Sequence, residues 1–138
     1  MIALLLAWQA AGVDGTPLGA LPPQDLPARG CAAYLWSAGA EHRLVAVAGA
    51  EAGQLRVSLD GRTLDLARSA QDGPGGFGFA GQTRYTGGDV TATLDLTIET
   101  LQSLTGGARV PQATLRVEQA GKDAVAMPVA GLIGCAAS

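Results

Sequence analysis

The sequence predicts a single all-β domain, either a small antiparallel β-sandwich or a partly open β-barrel of about eight strands. Three observations carry that prediction. Beyond Gly30 the apolar residues recur at every second position rather than at helical spacing. Glycine-rich turn signals interrupt the alternation about every ten residues, as in all-β folds. The length of 138 residues with 48% hydrophobic content suits one core and leaves no room for two.

The chain divides into three parts. Residues 1–12 read as a truncated signal peptide: Ile2 to Trp8 is an apolar run and Ala10-Ala11-Gly12 supplies small residues for a peptidase. No basic residue precedes the run, which a start codon assigned too far downstream would explain. The run is also far short of the roughly 20 apolar residues that cross a bilayer, so no transmembrane span is expected. Residues 13–30 contain Pro17, Pro22, Pro23 and Pro27 and read as an extended arm or linker, because proline denies the backbone donors that regular structure needs. Residues 31–138 form the β-domain.

Its first strands are expected at Cys31 to Trp36 and Arg43 to Ala48. From Gln54 to Arg68, Leu55, Val57 and Leu59 alternate with polar residues, Asp60-Gly61 interrupts, and Leu64 and Leu66 resume. Asp-Gly is a favoured two-residue hairpin turn, since both positions take positive φ. Pairing Leu59 with Arg62 sets Val57 against Leu64 and Leu55 against Leu66 on the buried face, with Arg56 against Asp65 on the other. A second hairpin turns at Thr86-Gly87-Gly88-Asp89. Pairing Tyr85 with Val90 there places Gly81 opposite Leu94, Phe79 opposite Leu96 and Phe77 opposite Ile98. A third joins Ala113 to Val117 with Val125 to Val129. Pro128 cannot donate to a ladder, so its strand is expected at an edge or with a bulge at Pro128.

Cys31 opens the β-domain and Cys135 lies near the end of the chain, so a bond between them would tie the first strand to the last. In the chain-entropy account a loop of about 100 residues is worth about 4.7 kcal/mol. An export-like leader with two cysteines favours this disulfide. Two buried free thiols are the alternative. A zinc site is not expected, because His42 is the single histidine and does not complete a ligand set.

The net charge of -3 sets twelve acidic against nine basic residues, which argues against nucleic acid as a partner. His42 is also the one side chain of the usual general-base type, and no G-x-S-x-G motif accompanies it, so it reads as an exposed histidine rather than part of a triad. No carboxylate pair, phosphate loop or calcium loop stands out, and no cofactor is expected. One face draws a sharper reading. Val90 to Glu99 puts Thr91, Thr93, Asp95 and Thr97 on its wet side, where repeated hydroxyls suit a sugar, ordered water or a partner's edge, although threonine is also simply a good strand former.

Leu59-Asp60-Gly61 followed by Phe79-Ala80-Gly81-Gln82-Thr83-Arg84-Tyr85 gives a strand, a DG turn and a G-x-x-R-Y run. Over about thirty residues this resembles the small periplasmic inhibitors of C-type lysozyme, which are exported, disulfide-linked β-barrels. Ala80 stands where that family's inhibitory loop carries serine, and the spacing to Tyr85 is one residue longer. The resemblance therefore assigns no residue a role.

The expected function is that of an exported, periplasmic or secreted, non-enzymatic binding or structural accessory of the cell envelope. Its partner would be an envelope protein or glycan. The resemblance implies an alternative, an inhibitor of a cell-wall hydrolase, and a hydrolase with an unrecognised site is a third reading.

Overall fold

Alternation and turn chemistry together give nine strands in a computed structural model that describes residues 12–101 and 106–136. The apolar run Ile2 to Trp8 lies outside the described residues. The strands are β1 (Leu18–Gly19), β2 (Cys31–Ser37), β3 (Leu44–Gly49), β4 (Gln54–Leu59), β5 (Arg62–Asp72), β6 (Gln82–Gly87), β7 (Val90–Glu99), β8 (Gly107–Gln119) and β9 (Val125–Cys135). From β2 to β9 each strand pairs antiparallel with the next. The barrel is closed rather than partly open, because β2 also pairs antiparallel with β9 over seven residue pairs, from Cys31–Cys135 to Ser37–Val129. An even number of alternating strands leaves the first and last antiparallel, so the sheet can close without a crossover and retains no long edge.

Cys31 and Cys135 form a disulfide across this seam. The tie expected from their positions is therefore present, and it joins the first and last barrel strands.

An eight-stranded barrel has an interior just wide enough for side chains to fill. Here Leu35, Val45, Leu55, Leu66, Tyr85, Leu94, Leu115 and Ile133, one from each barrel strand, are at most 2% exposed and belong to one core. Large residues stand beside small ones across the ladders: Leu35 faces Ala46, Leu55 faces Ala48, Tyr85 faces Ala92 and Ile133 faces Ala108. That interleaving explains how a chain with 4% aromatic residues fills its core. Each fully buried leucine contributes roughly 1.5–3 kcal/mol.

The first hairpin has the expected register, with Leu59 opposite Arg62 and Leu55 opposite Leu66. Asp60 and Gly61 take φ of 51° and 81°, the left-handed pair that this turn demands. On its outer face Arg56 donates to Asp65 through Nε (2.7 Å) and Nη2 (3.0 Å). These hydrogen bonds hold the Asp65 carboxyl below its usual range, against the opposing effect of partial burial. Both side chains are near 40% exposed, at 44% and 40%, so the pair adds only about 0.2–1 kcal/mol. The third hairpin also keeps its expected register, with Val117 opposite Val125, Leu115 opposite Met127 and Ala113 opposite Val129.

The second hairpin is tighter than expected. Gly87, not Tyr85, pairs with Val90, leaving Gly88-Asp89 as a two-residue turn with Gly88 at φ 59°. Tyr85 therefore faces Ala92 and Thr83, not Gly81, faces Leu94. A slip of two residues preserves which face each side chain occupies, so Tyr85 still points into the core. Phe77 and Phe79 consequently lie outside β6 and do not pair with Ile98 and Leu96. They belong to a separate tight turn in which Gly76 bridges Phe79. Phe79 is buried, and Phe77 packs against the core with φ 57°, a conformation costly for a bulky residue.

Pro128 occupies neither an edge strand nor a bulge of its own. Its carbonyl accepts from Ala38 N–H (3.0 Å), past the end of β2. A residue's N–H and C=O point to the same side of a strand, so the missing donor of Pro128 faces the place where β2 has stopped. The irregularity lies instead in β8, between Val110 and Ala113.

Residues 12–30 run along the barrel. Val13 and Leu18 are buried in the core, and β1 pairs Leu18 and Gly19 with Leu59 and Ser58 beyond the last β3–β4 pair. Leu21 N–H then donates to Leu44 O (2.7 Å), and the Tyr34 hydroxyl donates to Asp25 O (2.9 Å). Asp14 and Glu41 each accept the other's backbone N–H, at 3.2 and 2.6 Å. The prolines keep this segment extended, and these contacts supply the hydrogen bonds that a regular element would have supplied.

Candidate functional site

Because side chains occupy the barrel interior, the outer surface is where recognition has room to occur. Period-two geometry sorts that surface into cross-strand rows. Thr91 stands between Thr86 and Glu118, Thr93 between Arg84 and Arg116, and Asp95 between Gln82 and Thr114. Thr97 faces Gln112 and Glu99 faces Arg109. Thr91 and Thr93 are half-buried, whereas Asp95 and Thr97 are exposed.

The four residues singled out on this face do not form one site. Asp95 and Thr97 line a groove of about 400 Å³. Thr91 borders a different depression near the β8–β9 turn, with Arg84, Lys122 and Asp123. Thr93 lines neither of these two hollows.

The groove arises from the irregularity in β8. Pro111 and Gln112 together oppose the single residue Ala130 on β9, one extra residue that bends β8. Its lining runs in strand order from Asp95 and Thr97 on β7, through Gln112 and Thr114 on β8, to Pro128 and Ala130 on β9 and Ala38 just past β2. Gln82 Nε2 donates to Asp95 Oδ1 at 2.8 Å, which orients the carboxylate. Among the described residues, Thr97, Gln112 and Thr114 make no side-chain hydrogen bond, so their donors and acceptors are available to a ligand. The volume falls in the range of roughly 300–1,000 Å³ typical of small-ligand clefts.

Sequence reasoning reached Asp95 and Thr97 through the alternation of β7. It missed Gln112, Thr114 and the apolar end of the lining. A signal was available, since Pro111 within an otherwise regular strand marks a bulge, and bulges re-aim side chains.

The other candidates for chemistry lie apart. His42 is exposed, with φ 47°, and its Nδ1 lies 3.2 Å from Ser37 O. Tyr34 is held beneath the arm by its bond to Asp25, and Trp36 is half-buried opposite Ala130. The G-x-x-R-Y run is divided, with Tyr85 in the core and Arg84 on the outer face. Among the described residues no group of three His, Cys, Asp or Glu side chains could hold a metal, and no helix is long and apolar enough to cross a membrane. No protein-family model matches the chain, and comparison with curated proteins and with solved structures finds no match.

Proposed function

We propose that the chain is an exported, non-catalytic binding protein of the cell envelope that engages its partner through the outer face of β7, β8 and β9. The observation that carries this reading is the groove: Asp95, Thr97, Gln112 and Thr114 present polar groups in a concavity on a barrel whose interior is filled. The disulfide between Cys31 and Cys135 supports an oxidising compartment, where such bonds persist. The leader-like residues 1–12 support export on independent grounds.

Fractionation of producing cells with thiols trapped by alkylation tests the compartment. The oxidised protein is expected with the periplasmic or secreted fraction. Co-sedimentation with isolated envelopes tests the binding, and replacing Thr97 and Thr114 by lysine is expected to reduce it at least several-fold. Cytosolic protein with both thiols free, or sedimentation unaffected by the substitutions, would overturn the reading.

A further inference from the structure

We infer that the groove between β7, β8 and β9 is a saccharide subsite that takes a neutral pyranose unit of an envelope polysaccharide. The inference rests on the binding function proposed above and specifies its ligand. The lining changes from polar to apolar across the groove, as the edge and the face of a sugar ring differ. Asp95, Thr97, Gln112 and Thr114 offer a carboxylate, two hydroxyls and an amide, a set that both accepts from and donates to ring hydroxyls. Ala38, Pro128 and Ala130, on the side of β9 and the end of β2, contribute apolar side chains, which suit the C–H face of the ring.

Charge narrows the ligand. Among the described residues Asp95 is the one ionisable side chain lining the groove, so an anionic group there would meet a like charge. An apolar acyl chain would strip water from four polar side chains and give no hydrogen bond in return. A neutral polyol meets neither objection. The carboxylate is also held in place before binding, since Gln82 Nε2 fixes Oδ1 at 2.8 Å and Oδ2 stays available to a hydroxyl.

The test is an amide-resolved NMR titration of the oxidised full-length chain with two neutral tetrasaccharides, cellotetraose and chitotetraose, the second carrying acetamido groups. Shifts clustered on Asp95, Thr97, Gln112, Thr114 and Ala130 with either sugar are expected. Asp95→Ala and Gln112→Ala, both at exposed positions, should each weaken the response about tenfold with the remaining spectrum unchanged. Shifts that map elsewhere, or affinity unaltered in both variants, would overturn the subsite while leaving envelope binding intact. Co-sedimentation with envelope proteins but with no polysaccharide would do the same. Failure to sediment with any envelope fraction would overturn the binding function together with the subsite.

Discussion

Cys31 and Cys135 are direct cross-strand partners, with Cα atoms 3.9 Å apart although they stand 104 positions apart in sequence. The bond therefore closes almost the whole barrel into a covalent ring, at the end of a seam that seven residue pairs already hold together.

A Cys31→Ser, Cys135→Ser variant should keep the barrel and lose stability. The seam ladder persists without the sulfurs, whereas the unfolded chain regains the freedom of a long loop. The expected loss is roughly 2–5 kcal/mol. Urea denaturation gives the loss, and far-ultraviolet circular dichroism should show unchanged β structure. A variant as stable as the parent would show that the bond contributes nothing to the fold.

Gly131 sits opposite Leu35 at the seam, where β2 leaves no room for a side chain. A Cβ there would collide with the carbonyl oxygen of Tyr34 and lie 3.2 Å from the Leu35 Cα, and backbone atoms cannot rotate away as a side chain tip can. Gly131→Ala should therefore cost about 3 kcal/mol by forcing β2 from β9. Gly76→Ala, where an added Cβ meets nothing within 4 Å, serves as the control. Equal unfolding midpoints for the two variants would remove the steric argument.

Tyr85 links the core to alkaline stability. It is 1% exposed, and burial pushes its phenol pKa up, more strongly than the Arg68 charge and the Thr83 hydrogen bond draw it down. A raised folded value means that its contribution is fully present below the unfolded value of about 10 and is lost as pH rises through the folded value. Stability should thus fall on the alkaline side, and Tyr85→Phe should flatten that fall. Denaturation midpoints at a series of alkaline pH values measure the slope, and an unchanged slope in the variant would exclude Tyr85 as its source.

Local chemistry made two of the three hairpins legible. In the first, Asp60-Gly61 permits one short turn, and Leu55, Val57, Leu64 and Leu66 agree with its register. In the third, the apolar parity of Ala113 to Val117 against Val125 to Val129 admits the observed pairing. Thr86-Gly87-Gly88-Asp89 is different because it can turn over either two or four residues with the same faces buried. The observed ladder includes Thr86–Thr91 and Gly87–Val90, two pairs that only the shorter turn allows. Pro128 was misplaced for a related reason, since its missing donor is harmless only where β2 ends, and the end of β2 is not a property of β9.

By itself, then, the sequence determined an all-β chain, the inward and outward faces of β4 to β9, and a pair of cysteines placed to tie the two ends of the domain. Those features depend on period-two alternation and turn residues, which act over a few neighbouring positions. Tertiary structure alone decided between sandwich and barrel and closed β2 onto β9. It also brought Ala38, Asp95, Gln112 and Pro128 to one groove. These four residues lie on separate segments, and only the bend at Pro111 and Gln112 within a closed sheet brings them to one place.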